Sequence, residues 1–247
     1  MKGRVAIVTG GTRGLGAAVT ELLLAGGAHV AAVYAGDHDR ARALRDRLAD
    51  TGGSVSLHPG DVGDRGFARA LVAEVVATHG RLDHLVNNAG VLVENKAAQL
   101  TADEWDLALR VNLSGPWYLA QAALEPMERQ RFGRIVNVGS VTAPMGHPAQ
   151  VGYGAAKAGL AGLTRSLARA VARKGITVNL VVPGVFETDM THAMAPSSQE
   201  AIRGLIPMGR RGDPAELAHA VAFLLDERAS YVTGSVVTVD GGLSMGA

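Results

Sequence analysis

Seven short β-branched runs, each closed by Gly, Asn, Pro or a polar turn, alternate along this chain with longer segments rich in Ala, Leu and Arg. That alternation is the mark of βαβ units, in which each strand is followed by a helix that crosses back over the sheet. The runs are Arg4 to Thr9, His29 to Val33, Ser54 to His58, Leu82 to Asn87, Arg134 to Gly139, Thr177 to Val182 and Val236 to Val239. Helical patterns fill the intervals: Leu15 to Ala25, Asp39 to Asp50, Asp64 to Thr78, a long region from Ala102 to Arg131, Gly152 to Arg173, and Pro214 to Leu225. Runs such as Val5-Ala6-Ile7-Val8 are apolar throughout, so they need cover on both faces of the sheet. The expectation is an α/β fold: one doubly wound, seven-stranded parallel sheet with helices on both faces.

The 247 residues contain no Ser/Pro/Gly-rich linker and no charge run, and no repeat shows at solenoid periods. A single domain over residues 1–247 is the simplest organisation. The segment from Phe186 to Arg211 is the exception, because it lacks clear periodicity and carries Met190, Met194, Pro196 and Pro207. In sheets of this kind ligands sit beyond the carboxyl ends of the strands, so the segment is either a cover over the substrate or a surface helix pair.

A hydrophobic fraction of 47% supplies a core, and a net charge of +1 from 24 basic and 23 acidic residues leaves no field for gathering phosphate backbones. Nucleic acid is not an expected partner. The absence of cysteine excludes disulfides, thiol nucleophiles and zinc thiolates, and suits a reducing compartment. Met1 to Gly10 enters a strand directly, and no run approaches the ~20 apolar residues of a membrane span. The expectation is a soluble, cytoplasmic protein with no membrane partner. The 8 histidines are dispersed and form no metal-binding spacing, so no metal is expected.

After the first run comes Thr9-Gly10-Gly11-Thr12-Arg13-Gly14-Leu15-Gly16, opening a helix at Ala17. Glycine permits positive φ and lets backbone N–H groups approach a ligand, while the helix N-terminus favours negative charge. A pyrophosphate fits such a turn, and so does a tight strand-to-helix connection with no ligand. The second run ends Val33-Tyr34-Ala35-Gly36, with no carboxylate at Tyr34 to take a ribose 2′-hydroxyl. Arg13 offers a planar fork for a 2′-phosphate, which favours NADPH. Asp37 and Asp39 lie near enough to repel that phosphate, which keeps NAD open as the alternative.

Tyr153 alone among the 4 tyrosines is followed by lysine four residues later, at Lys157. On a helix the two share a face, one turn apart. An ammonium ~4 Å from a phenol, at an effective dielectric of ~20, contributes ~4 kcal/mol, or about three pKa units toward tyrosinate. An ordinary surface pair is the other reading.

Taken together, Gly10 to Gly16, Asn87-Asn88-Ala89-Gly90, Asn112, Ser140, Tyr153-x-x-x-Lys157 and Pro183-Gly184 resemble the short-chain dehydrogenase/reductase family across essentially the whole chain. Phe186-Glu187-Thr188-Asp189-Met190 and Val239-Asp240-Gly241-Gly242 are most similar to its 3-oxoacyl-[acyl-carrier-protein] reductases. The resemblance implies a Rossmann-type fold and reduction of a ketone, such as a 3-oxoacyl thioester, with no metal. Tyr153 would be the general acid, Lys157 would lower its pKa and bond the nicotinamide ribose, Ser140 would polarise the substrate carbonyl, and Asn112 would hold a water relay to Lys157. The cofactor would meet Gly10, Thr12, Arg13, Gly14, Leu15, Gly16 and Tyr34, with Asp61 and Val62 at the adenine edge and Asn88, Ala89 and Gly90 beside its ribose. Pro183, Gly184, Val185 and Thr188 would line the nicotinamide, the small Gly184 leaving room for the ring. Gln150 would face the substrate together with Ser140, Tyr153 and Gly184.

The family also implies a homotetramer, and docking of acyl carrier protein at positions matching Arg131 and Lys174. One departure is Ala35, where many NADP-dependent relatives carry arginine. Two competing readings remain at this level. One is an NAD-dependent dehydrogenase of a secondary alcohol, sugar or steroid-like compound. The other is a nicotinamide-sensing or partner-binding protein without turnover.

Overall fold

Near-continuous apolar strands line up side by side, all parallel, in the order β3-β2-β1-β4-β5-β6-β7. The computed structural model describes residues 1–49, 51–192 and 195–246. The strands are β1 Val5–Thr9, β2 His29–Tyr34, β3 Ser54–Pro59, β4 His84–Asn87, β5 Gly133–Val138, β6 Ile176–Pro183 and β7 Val236–Val239. The helices are α1 Gly14–Ala25, α2 His38–Arg47, α3 Arg65–His79, α4 Ala102–Leu109, α5 Gly115–Arg129, α6 Thr142–Met145, α7 Val151–Val171, α8 Asp189–His192, α9 Pro196–Leu205 and α10 Pro214–Leu225.

Alternate residues of the five inner strands feed two cores. Val5, Ile7, Val33, Leu85, Ile135 and Val178 pack against α3, α5 and α7. Ala6, Val8, Val30, Val86, Val136 and Val181 pack against α1, α2 and α10. The chain leaves β1 toward one edge through β2 and β3, then returns to β4 and proceeds toward the other edge. The crevice at the carboxyl ends of β1 and β4 is therefore the topological switch point, where such sheets hold ligands.

All seven expected strands form, with bounds moved by one or two residues. β4 begins at His84, not Leu82, because the Gln130 side chain takes both backbone groups of Leu82. The long helical region from Ala102 to Arg131 is broken. Between α4 and α5 the residues Arg110–Ser114 form one π turn, in which Gly115 N–H reaches back to Arg110 O. Pro116 supplies the reason: it has no N–H, and its ring would clash with the carbonyl four residues earlier, on Asn112. Helix α2 is described to Arg47; the expected end at Asp50 lies outside the described residues, as does Met194 in the segment after β6. That segment forms α8 and α9, closer to a helix pair than to a loop. Among the described residues no helix is long and apolar enough to cross a membrane.

The amino end of the sheet holds a buried ion cluster. Asp83 is fully buried and accepts from Val5 N–H at 2.9 Å, Arg4 at 2.9 Å and Arg81 at 2.6 and 2.8 Å. Arg4 and Arg134 stack over the Phe132 ring, 4.2 and 4.4 Å from its centroid. Beside them His84 is held neutral, its pKa pulled down to about 3 by burial, with Arg4, Arg134 and the N-terminus adding to the effect and Asp83 opposing it. An unfolded chain protonates this ring near 6.5, so below that pH it takes up a proton that the folded state refuses. This group therefore leaves stability untouched above about pH 6.5 and lowers it as pH falls toward about 3, by at most about 1.4 kcal/mol per pH unit. Urea midpoints from pH 7 down to 4 should show this slope in the wild type and a flatter one in His84→Leu. Equal slopes would assign the acid sensitivity to another group.

Candidate active site

The glycine turn closes so tightly that side chains have no room. A Cβ on Gly16 would stand 2.1 Å from Gly10 O, and one on Gly10, at φ +63°, would stand 2.9 Å from Asn88 Nδ2. Helix α1 starts here with Arg13 at its N-cap, no side-chain cap and no acidic residue in the first turn. By contrast Asp37, Asp64, Thr101 and Asp213 cap α2, α3, α4 and α10. The orphan N–H groups of α1 are thus left for a ligand, and the cradle fits a pyrophosphate. Thr9, a residue with no motif to mark it, organises the other wall: its Oγ1 accepts from Asn88 N–H and Ala89 N–H, both at 2.9 Å, while Asn88 Nδ2 donates to Thr9 O at 2.9 Å. Across the turn, the same construction on Gly14 finds Thr188 Cγ2 at 3.7 Å.

Ser140 follows β5, and its Oγ accepts from Thr142 N–H at 3.2 Å, which caps the turn and leaves the hydroxyl to hydrogen-bond Tyr153. Tyr153 and Lys157 lie on the first two turns of α7. Lys157 is 4% exposed, and its Nζ donates to Val138 O at 2.8 Å. The burial pulls its pKa down to about 8. Burial likewise pushes the Tyr153 phenol up, with hydrogen bonding to Ser140 opposing. This reverses the direction expected from the pair alone. Lys157 Nζ lies 5.7 Å from the Tyr153 ring centroid, and desolvation of the phenolate outweighs the attraction.

Asn112 sits in the π turn, fully buried. Its amide donates to Val91 O and Ala108 O, both at 2.9 Å, and accepts from Val91 N–H at 3.2 Å. Gly90 lies against it: a Cβ there would stand 2.7 Å from Asn112 Oδ1 and 3.5 Å from Lys157 Nζ. Asn88 to Gly90, Asn112, Ser140, Tyr153 and Lys157 thus converge at the carboxyl edge of β4 and β5.

The remaining expected residues fall on the same edge with different partners. Gln150 caps the approach to α7, accepting from Thr142 Oγ1 at 3.0 Å and donating to Glu94 Oε1 at 2.7 Å. Glu94 carried no sequence signal. Asp61 accepts from Gly63 N–H at 2.8 Å and pairs with Arg110; burial works to raise its pKa, but these bonds prevail and hold it low. Val62 is buried beside Gly115. Tyr34 ends β2 with its hydroxyl 2.9 Å from His38 Nδ1. Pro183 O accepts from Val141 N–H at 3.1 Å, which ties the end of β6 to the Ser140 turn. Gly184 also packs against the end of β7, where a Cβ would lie 2.6 Å from Asp240 Cβ and 2.7 Å from its Cα. Val185 and Thr188 follow, Thr188 N–H donating to Thr191 Oγ1 at 2.9 Å.

A family model described as "Enoyl-(Acyl carrier protein) reductase" matches residues 10–244. The chain belongs to the short-chain dehydrogenase/reductase family of NAD(P)-dependent oxidoreductases. It is 41% identical to the 3-oxoacyl-[acyl-carrier-protein] reductase FabG of Salmonella typhimurium over 244 residues, 99% of this chain and 98% of that one. It is 42% identical to FabG of Vibrio cholerae, covering 99% of each. Among solved structures, levodione reductase superposes with a TM-score of 0.95 at 34% identity over the whole of both chains. A Serratia marcescens short-chain dehydrogenase/reductase mutant gives 0.92 at 36% identity, covering 98% of each.

The cradle makes a steric prediction. Gly16→Ala drives a methyl group into the backbone of Gly10 and should weaken NADP+ binding, read by protein fluorescence, at least about tenfold. Gly162→Ala, where a Cβ meets nothing within 4 Å, should leave it unchanged.

Proposed function

We propose that this protein is an NADPH-dependent ketone reductase acting on 3-oxoacyl thioesters. The observation that carries the reading is the convergence of Ser140, Tyr153 and the buried Lys157 with Asn112 and Gly90, at the end of the Asn88–Ala89 segment that packs on Thr9 and Gly10 of the glycine cradle. When bound, the nicotinamide supplies a hydride. Ser140 turns its hydroxyl from Tyr153 to the substrate carbonyl and donates a hydrogen bond where negative charge develops on the oxygen. Tyr153 delivers a proton to that oxygen, and its raised pKa keeps the phenol protonated at neutral pH, the form an acid requires. Lys157 holds a positive charge beside the phenol and restores its proton through the chain that Asn112 positions. Gln150, held by Glu94 and Thr142, faces the thioester.

The carrier-linked form of the substrate would dock at Arg131 and Lys174, in the turns that precede β5 and β6. Backbone packing joins these turns: a Cβ on Gly175 would lie 2.3 Å from Arg131 O. Lys174 is paired with Glu128 at 2.6 Å, and the patch lies at the amino end of the sheet, about 20 Å of strand from Ser140. Docking and carbonyl reduction are therefore separable by mutation. A homotetramer accounts for the exposed apolar residues Phe223, Tyr231, Val236 and Met245 near the open edge of β7, and for Trp105, Leu107, Met145 and Val151 around α4 and α7. A cytoplasmic location accords with the lack of cysteine.

Tyr153→Phe should cut ketone-dependent NADPH oxidation by about 10²- to 10⁴-fold with cofactor binding retained. The test is a panel of 3-oxoacyl thioesters, β-keto esters and simple ketones against both cofactors; a preference for NADH, or turnover surviving the substitution, would overturn the reading. Because Lys157 loses its charge near pH 8, kcat/KM for reduction should be level below that pH and fall about tenfold per unit above it. Charge reversal of Arg131 and Lys174 together should raise KM for a carrier-linked substrate and spare a small ketone. Sedimentation should give a mass four times that of one chain.

A further inference from the structure

One ion pair spans the cofactor cleft from outside. Arg40, in the first turn of α2 just beyond β2, pairs with Asp189, the first residue of α8 beyond β6. Both side chains are open to solvent, 43% and 65% exposed, so the pair is of the weak kind that a better partner can displace. Arg40 stands on the element where the ribose end of a dinucleotide is read, three residues after Asp37. Asp189 follows Thr188, which packs against Gly14 of the cradle.

The acidic residues that argued against a 2′-phosphate both have partners on α2. Asp37 caps α2, its carboxylate accepting Arg40 N–H at 3.0 Å, and Asp39 pairs with Arg42 on the exposed face of the helix. Arg13 makes no ion pair among the described residues and stands at the N-cap of α1. The end of β2 is therefore flanked by two cations, Arg13 at the N-cap of α1 and Arg40 in the first turn of α2. Ala35 leaves the position after the strand without a charge, and Arg40 is the nearest guanidinium on α2 that could replace it.

We propose that Arg40 is the specificity-determining cation for the 2′-phosphate of NADP(H), and that it takes the phosphate in exchange for Asp189. A phosphate carrying close to two negative charges and three acceptor oxygens is a stronger partner for a guanidinium than one exposed carboxylate. The exchange releases α8 from α2, so recognition at the ribose end frees the first residues of the segment that covers the substrate side. NAD(H), which lacks the phosphate, leaves the Arg40–Asp189 pair in place. The inference rests on the reading of NADPH as the cofactor and adds to it a residue and a coupling.

Direct binding of NADP+ and NAD+, by calorimetry, separates the possibilities without any turnover. Arg40→Ala should weaken NADP+ at least about tenfold and NAD+ by less than about twofold. Asp189→Asn, which frees Arg40 in advance, should tighten NADP+ severalfold, leave NAD+ unchanged, and lose this gain in the Arg40→Ala background. Hydrogen exchange in residues 186–192 should rise with NADP+ relative to NAD+ in the wild type, and the difference should vanish in Arg40→Ala. A wild type that binds both cofactors equally would sink the NADPH reading itself. A wild-type preference for NADP+ that survives Arg40→Ala would sink the role of Arg40 alone, and an Asp189→Asn variant with unchanged NADP+ affinity would sink the exchange.

Discussion

A lysine ammonium buried to 4% exposure is the constraint on which the site depends. Taking such a charge out of water is expensive unless it is hydrogen-bonded, and here Val138 O, released at the last residue of β5, supplies the bond. That contact fixes α7 against the end of the sheet and sets the height of Tyr153 one turn earlier. It also explains Gly90: any side chain there would press on Asn112 and stand 3.5 Å from Lys157 Nζ. The low pKa of Lys157 and the high one of Tyr153 share a cause, the desolvation of both charged forms in one narrow place. A phenol so placed keeps its proton at neutral pH until a more basic oxygen is set beside it to accept that proton.

Behind this contact runs a buried polar chain that holds the two ends of the site in register. Asn87 Nδ2 donates to Asn137 Oδ1 at 2.9 Å, and Asn137 Nδ2 donates to Thr164 Oγ1 at 2.9 Å, which connects β4, β5 and α7 through side chains inside an otherwise apolar layer. Asn87 also donates to Pro116 O at 3.3 Å, next to the π turn that carries Asn112. Every element that presents a reacting group is thus tied to its neighbour by directional bonds, which cost heavily if left unpaired. At the opposite end of the strands, Asp83 and its arginines do similar work for the sheet alone.

Much of the architecture was legible because parallel strands write themselves into the sequence as short β-branched runs, apolar throughout in the buried centre as at Val5-Ala6-Ile7-Val8 and alternating at the edge as at Ser54–Pro59, and all seven runs became strands. The Tyr153–Lys157 spacing and the glycine turn were equally readable, since each depends on local geometry. What escaped was decided by partners distant in sequence. Thr9 binds a turn 79 residues away, Glu94 meets Gln150 across 56, and Arg110 meets Asp61 across 49. The break in the long helical region had a local cause, since Pro116 forbids the hydrogen bond that would have continued it. The upward shift of the Tyr153 pKa was not readable, because spacing reports that two groups are neighbours and says nothing of how much water surrounds them.

Glycine shows most plainly how one residue type serves unlike ends in a single chain. Gly10 and Gly16 are small so that the turn into α1 can close on its own backbone and on Asn88, whereas Gly184 and Gly212 are small so that distant segments can meet, at Asp240 and the Phe186 ring. The second kind controls the substrate side. Phe186 bridges to Gly212, Glu187 N–H donates to Gly212 O at 2.9 Å, and the Glu187 carboxylate holds Arg211 at 2.7 Å and His192 at 2.8 Å. Both stems of the segment are therefore pinned together at its base, so changes in α8 and α9 can reshape what lies over the substrate without loosening β6. This segment can change while Ser140, Tyr153, Lys157 and Asn112 stay where the sheet puts them, because among the described residues none of their hydrogen bonds goes to a residue beyond 186.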